Sequence, residues 1–292
     1  MTTVDVVTVT YRATDLALEC VRSVGRVREQ CPELVVRMFV LDNNSGDDTI
    51  ERVSSSAPWI SAVSRTSNDG FAVATNQGIR MGSGEFVLVL NPDTEVTAPM
   101  LRHLVQRMKS DPTIGVVGPR LVDALGRFDH AAKRNSPGPA AAFRHLAGKI
   151  LNRDLGSDYL APQVGETESG DVDAVNGAFM LMRRSDLARV GLLDESYWMY
   201  GEDLEWCRRF KACGLRVVYD GSVTAIHHKG GSSGAVRSPR TNWHFHASMW
   251  RYYNTESQAE PTLRRVLVAS GIGAHWVLTS IKWLLHRLRG TA

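Results

Sequence analysis

Three short stretches bring together side chains whose types and spacing can do chemistry. In the first, the apolar run Phe86-Val87-Leu88-Val89-Leu90 ends in Asn91-Pro92-Asp93. Such residues of high β propensity read as a strand buried on both faces. Pro92 cannot donate to a ladder, so the strand must stop there and leave Asp93 at its C-terminal end. In an open parallel sheet that edge is where ligands sit, and a single carboxylate there suits a divalent cation held mainly by phosphate oxygens. The bland alternative is an Asp that caps a turn. In the second stretch, Glu202-Asp203 follow Tyr197-Trp198-Met199-Tyr200-Gly201 and open a helical pattern. The helix dipole favours acids in a first turn, which accounts for one carboxylate better than for a pair beside aromatic rings. A general base that takes the proton of a sugar hydroxyl would want this placement, ionised near neutrality and next to a surface on which a pyranose can stack. In the third, His227-His228-Lys229 run into a glycine-rich turn over 230–234. Imidazole and backbone donors there suit an anionic, metal-bound group, although a bare His-His pair is a weak metal signal.

The elements that must position these groups alternate. Val4 to Thr10 reads as a first, central strand; residues 14 to 28 place Leu16, Cys20, Val21, Val24 and Val27 at helical spacing with Thr14 as N-cap. Leu34 to Leu41 is a second strand that runs into Asp42-Asn43-Asn44-Ser45-Gly46-Asp47, where Asp47 or Ser45 can cap the next helix. Ile60 to Ser64 is a third strand, and Asn68 and Asn76 bracket the start of a helix so that both can face one cleft. A helix over 98–110 and a strand from Ile114 to Val117 follow the Asn-Pro-Asp turn. Residues 123–170 show little periodicity and read as an irregular excursion over the cleft. Ala174 to Met182 reads as one strand containing Asn176-Gly177, where the missing Cβ lets a ligand approach the backbone, and Arg216 to Tyr219 as another. Strand-helix alternation of this kind is a doubly wound α/β pattern.

Composition agrees with a globular chain: of 292 residues, 43% are hydrophobic, enough for a sizeable core. The four cysteines show no CxxC spacing, which suits a reducing cytoplasm, and the N-terminus has no basic, apolar signal pattern. Net charge is only +3, but from Lys229 onward nine Lys or Arg stand against two acids, so the body is mildly acidic and the tail basic. Aromatics interleaved with His and Arg around 243–253 would allow nucleic acid, yet the acidic body argues against it. Residues 262–289 carry a helical apolar stripe flanked by Arg264, Arg265, Lys282, Arg287 and Arg289. Its uncharged core from Val266 to Ile281 is 16 residues, short of the roughly 20 that span a bilayer. The expectation is contact with a membrane surface, with a homodimer or core helix as the alternative.

Taken together, Thr10-Tyr11-Arg12, Asp42-Asn43-Asn44-Ser45-Gly46-Asp47, Asn68-x-Gly70-Phe71 with Asn76-x-Gly78, Asn91-Pro92-Asp93, Asn176-Gly177-Ala178, Trp198-Met199-Tyr200-x-Glu202-Asp203 and His227-His228-x-Gly230 resemble the family 2 inverting glycosyltransferases. The likeness is strongest to bacterial rhamnosyltransferases that use a deoxythymidine-diphosphate (dTDP) sugar. It spans about residues 4–234. The resemblance implies an α/β GT-A fold with a mixed, mainly parallel sheet over 1–234, and a basic helical extension over 235–292. It also implies a nucleotide-sugar donor, a Mg²⁺ or Mn²⁺ ion and direct displacement at the anomeric carbon. Carried over residue by residue, Asp42 would read the base, and Thr10, Arg12, Asn68, Asn76 and Asn91 would line the donor pocket. Asp93 and His227 would hold the metal, Asp203 with Glu202 would supply the base, and Gly177, Trp198 and Tyr200 would meet the acceptor. Asn91 stands where the family's metal motif has its first aspartate, leaving this turn one acidic ligand. The expected activity is transfer of L-rhamnose to a glycan or polyprenyl-linked sugar in envelope synthesis at the inner face of the membrane. The alternatives are a UDP-hexose or UDP-galactofuranose donor with a soluble acceptor, or a sugar nucleotidyltransferase.

Overall fold

The computed structural model describes residues 1–136, 158–228, 237–256 and 261–288. The excursion over 137–157, the turn over 229–236 and Arg289 lie outside the described residues.

Strands β1 (Thr2–Thr10), β2 (Leu34–Asp42), β3 (Ser61–Ser64) and β4 (Phe86–Leu90) pair in parallel in the order β3-β2-β1-β4. Helices α1 (Thr14–Gln30), α2 (Thr49–Ser56) and α3 (Phe71–Met81) make the crossovers. Every residue of β4 is buried, as an apolar run with no polar face demands. After Pro92 come β5 (Thr94–Glu95), helix α4 (Ala98–Ser110) and β6 (Ile114–Val122). The chain then runs through β7 (Lys133–Arg134), β8 (Ser169–Asp171), β9 (Ala174–Val175) and β10 (Phe179–Arg183), which enters the sheet antiparallel between β4 and β6. Helices α5 (Arg184–Val190) and α6 (Glu202–Ala212) lead to β11 (Arg216–His227), and α7 (Pro239–Glu256) and α8 (Thr262–Leu288) close the chain.

Several expectations change in detail. Ala174 to Met182 is two strands: β9 pairs with β7 in a separate two-stranded sheet, β10 belongs to the main sheet, and Asn176-Gly177 lies in the break. The final strand is far longer than Arg216 to Tyr219. A register shift between Asp220 and Thr224 lets it continue to His227, so that Ile226 and His227 pair antiparallel with Glu95 and Thr94. Thr14 does not cap α1; its hydroxyl meets that of Thr49, and Ala13 occupies the cap position. Asp47 accepts the Thr49 N–H at the start of α2, while Ser45 turns back to Asp42. The extension beyond 235 is mainly helical where described. α7 packs on the loop before α6, where Ser248 Oγ donates to Met199 O at 3.2 Å, and α8 packs on α7.

The edge of the sheet away from the ligand side is knotted by Asp5. Its side chain is fully buried and takes Arg37 at 2.6 Å and Arg184 at 2.8 Å, together with the Gly84 N–H. A Cβ at Gly82 or Gly84 would collide with this carboxylate, so those turns can be built only from glycine. Replacing Asp5 by alanine leaves two cations facing each other around a void. Because both guanidinium groups reach water, the cost falls at the low end for a broken buried pair, about 3 kcal/mol. Urea denaturation of Asp5→Ala is expected to show a midpoint lowered accordingly with an unchanged slope; an unchanged midpoint would mean that the pair contributes nothing.

Candidate active site

The C-terminal ends of β1 and β2 form one side of the site. Thr10 and Asp42 are register partners there and both are buried. Asp42 accepts the Ser45 N–H at 3.0 Å and the Ser45 hydroxyl, and Ser45 Oγ in turn accepts the Arg12 N–H at 2.7 Å. Arg12 sits at φ 51°, a left-handed conformation that carries its side chain out over the edge. Asn43, whose role no local pattern shows, is the hinge of this side. Its backbone N–H bonds Thr10 O, and its amide donates to Asn68 Oδ1 at 3.0 Å and Gly70 O at 3.1 Å. Thr10, Arg12, Asp42 and Asn68 are therefore brought together. Asn76 is not one of them. It is 1% exposed, and its amide is spent on both backbone groups of Leu193 and on Glu195, so it straps α3 to the loop before α6 rather than lining a donor pocket.

Asp93 and His227 meet because β5 pairs with the end of β11. His227 Nε2 lies 3.5 Å from Asp93 Oδ1, its Nδ1 lies 3.2 Å from Asp129 Oδ2, and the His228 N–H bonds Asp93 O. Burial alone would push the imidazole down, but the bonds to Asp129 and Asp93 outweigh it and hold its pKa up at about 9. Asp129 caps a short 3₁₀ turn, its other oxygen accepting the Ala131 N–H. A carboxylate behind a ring nitrogen is the usual support of a metal-binding histidine. Neighbouring ligands of an octahedral ion at about 2.1 Å stand about 3 Å apart, so the Asp93–His227 pair fits a shared divalent cation with a small adjustment. Among the described residues no group of three or more candidate ligands converges; the remaining positions would fall to diphosphate oxygens and water. Asn91 is half-exposed in the same turn, its N–H bonded to Ala178 O. His228 faces away from Asp93, toward Glu95 at 2.8 Å.

The carboxylate pair opens α6. Asp203 Oδ2 accepts Arg134 Nη2 at 2.6 Å and the Gly177 N–H at 3.0 Å, while Oδ1 takes the Leu204 N–H. Arg134 also donates to Val175 O, and burial is outweighed by Asp203 so that its pKa stays raised. Gly177 is where a Cβ would come within 3.3 Å of Asp203 Cβ, so its lack of a side chain admits the carboxylate rather than an open ligand surface. Glu202 departs from the expected ionised state. Burial pushes it up, Asp203 adds to this, and its pKa reaches about 8; Oε2 has no hydrogen-bond partner among the described residues. Desolvation has won over the helix dipole.

The aromatic residues are partly covered rather than open. Trp198 is half-buried and stacks on His244 at 4.2 Å, with Arg240 at 4.8 Å from its ring, and Tyr200 carries Arg237 at 5.1 Å and Phe245 at 5.5 Å. The Trp198 carbonyl accepts the Phe71 N–H at 2.7 Å, and its indole donates to Asn68 O. Trp198 therefore belongs as much to the Asn68–Phe71 side as to the acceptor side where the sequence placed it.

A family model described as Glycosyl transferase family 2 matches residues 5–189. The chain belongs to that family. It is similar to the N-acetylglucosaminyl-diphospho-decaprenol L-rhamnosyltransferase of Mycobacterium tuberculosis, 27% identical over 213 residues that cover 69% of each chain. It is also similar to the rhamnosyltransferase WbbL of Escherichia coli, 28% identical over 187 residues, 63% of this chain and 68% of the relative. Among solved structures, a mannosyltransferase from Pyrobaculum calidifontis in complex with GDP-Man and Mn²⁺ superposes over 94% of this chain and 69% of its own with a TM-score of 0.60 at 16% identity. The fold is the GT-A α/β fold, and the chain is a glycosyltransferase. The match to the family model ends before α6, so the roles of Glu202, Asp203 and His227 rest on the geometry above.

Because the Glu202 pKa is raised in the folded glycosyltransferase, the folded state binds a proton that the unfolded chain releases. The associated stability is present below about pH 4.5 and is lost as pH rises through about 8. Glu202→Gln keeps the neutral form, so thermal unfolding should find it more stable than wild type at pH 8.5 and little changed at pH 5. Equal melting curves at pH 8.5 would remove the raised pKa.

Proposed function

We propose that this glycosyltransferase is an inverting, cation-assisted rhamnosyltransferase that moves L-rhamnose from dTDP-rhamnose to a hydroxyl of a sugar carried on a polyprenyl diphosphate, at the cytoplasmic face of the membrane where envelope glycans are built. The observation that carries the reaction type is the Asp203 carboxylate, clamped by Arg134 and the Gly177 N–H at the start of α6. The oxygens of a carboxylate have lone pairs beyond those two bonds, and Asp203 takes the acceptor hydroxyl proton as that oxygen bonds to the anomeric carbon and the bond to the nucleoside diphosphate breaks. Direct displacement needs no covalent enzyme intermediate. Arg134 keeps the base oriented. Glu202, largely protonated at neutral pH, leaves a single negative charge in the pair.

On the opposite side Asp93 and His227 would hold a Mg²⁺ or Mn²⁺ ion, whose charge would stabilise the leaving diphosphate. Asp129 holds the imidazole by Nδ1 so that Nε2 faces Asp93. Asp42 would read the nucleobase, with Thr10, Arg12, Asn68 and Asn91 around the nucleotide; Trp198 and Tyr200 would border the acceptor. Rhamnose and the lipid carrier are supported by the named activities of the relatives, and dTDP by the resemblance of the sequence motifs alone. All four cysteines are free, which suits a reducing compartment.

A panel of dTDP-, UDP- and GDP-sugars, read by nucleoside-diphosphate release with a polyprenyl-diphosphate-linked N-acetylglucosamine acceptor, should give turnover with dTDP-rhamnose first; release from a UDP-sugar alone would replace the donor. Asp203→Asn should keep donor affinity while turnover falls about 10²-fold or more, the loss expected without general-base assistance. Near-normal turnover would transfer the role to Glu202. Titration calorimetry with Mn²⁺ should find binding abolished in Asp93→Ala and weakened about 10- to 100-fold in Asp129→Asn, which keeps the shape and loses the charge behind His227. Unchanged Mn²⁺ affinity in both variants would dismiss the metal pair.

A further inference from the structure

The sequence shows one apolar stripe on residues 262–289, but the structure divides α8 into two faces. One is taken up by α7. Asn242 bonds Ser280 Oγ at 2.9 Å, His246 Nε2 lies 2.8 Å from His275 Nδ1, and Trp243 meets Trp276 edge-on at 6.0 Å. The apolar side chains of the opposite face are exposed. At 3.6 residues per turn, Val266, Leu267, Val277, Leu278, Ile281 and Leu284 fall within one arc of about 120°, and each is between 46% and 63% exposed. No charged side chain interrupts the arc.

Its margins identify the occupant. Arg264 and Lys282 run along one side, and Trp276 and Arg287 along the other; α8 carries no acidic residue at all. A second copy of the chain laid on this face in a two-fold arrangement would bring the cationic margins of one α8 against those of the other, and α8 has no carboxylate of its own to place between them. An anionic lipid surface answers them all. Acyl chains accept the apolar arc, phosphate groups accept the Arg and Lys heads, and indole rings favour the boundary between the two. No helix among the described residues is long and apolar enough to cross a membrane. Nor would α8 need to cross one, because a helix lying in the headgroup plane buries only one face.

We propose that the outward face of α8 is a lipid-binding surface that seats the enzyme on an anionic membrane, with α7 as the rigid layer between the lipid and the aromatic loop before α6. The inference deepens the reading of a lipid-linked acceptor. Its test reads no chemistry, so it can fail while the rhamnosyltransferase reading stands, and the reverse. The full chain is sedimented with vesicles of phosphatidylcholine containing phosphatidylglycerol, and with phosphatidylcholine alone. It should bind the anionic vesicles at low salt and lose most of that binding at 1 M salt, where the Debye length has shrunk from about 10 Å at 0.1 M to about 3 Å. Leu278→Glu with Ile281→Glu, exposed positions whose replacement leaves the packed face intact, should lower partitioning at least tenfold with an unchanged circular-dichroism spectrum. Arg264→Glu with Lys282→Glu should lower it by a similar factor with the apolar arc intact. Absence of binding to phosphatidylglycerol vesicles at low salt overturns the proposal. So does a dimer in sedimentation velocity that the Leu278/Ile281 variant dissolves while vesicle binding stays the same, since the face would then belong to a second copy.

Discussion

The site depends on how a wholly buried strand satisfies its two edges. β4 has no polar face and no solvent, so each of its backbone groups must find a partner. β1 supplies one side in parallel. On the other side the partner is β10, and it runs antiparallel. The residues just before β10 consequently lie at the end of β4, where Asn91 N–H bonds Ala178 O. Had β10 been parallel, Gly177 would sit at the far edge of the sheet. As built, the Gly177 N–H and the carboxylate it holds are delivered to the same edge as Asp93.

Two charges are stabilised on that edge by different means. Asp203 is neutralised by one buried guanidinium, and the proximity of Glu202 is tolerated because burial keeps Glu202 protonated over much of the neutral range. Asp93 shares a histidine with Asp129, and the imidazole stays protonated between the two carboxylates. A divalent cation replacing that proton would meet a pair of groups already oriented toward it. The Asp203 carboxylate thus has its counter-charge in a buried arginine, whereas Asp93 has only a histidine that it shares with a second carboxylate.

Much of this was readable in the sequence because the signals were local. The β4 run with its Pro92 stop, the first two crossovers and the Glu202-Asp203 helix start all declare themselves within a dozen residues. What stayed hidden depended on distant partners. Arg134 and Asp129 lie in a stretch without periodicity, and each acquires a role only through a residue 69 or 98 positions away. His227 was singled out, but not the extension of β11 that carries it to Asp93, because Gly221 and Ser222 interrupt the apolar pattern at the bulge. For Asn76, helical spacing gives a face and not the Leu193–Glu195 loop that packs on it. The same limit applied to Trp198 and Tyr200, whose cover arrives from α7.

Gly70 has a φ of 103°, and a Cβ there would come within 2.3 Å of the Trp198 carbonyl that accepts the Phe71 N–H. The Asn68–Phe71 turn and the loop before α6 thus meet backbone to backbone, with no side chain between them. A side chain at position 70 would have to force the Asn68–Phe71 turn and the loop before α6 apart in one step, so the spacing of the two loops is fixed by the absence of a single carbon.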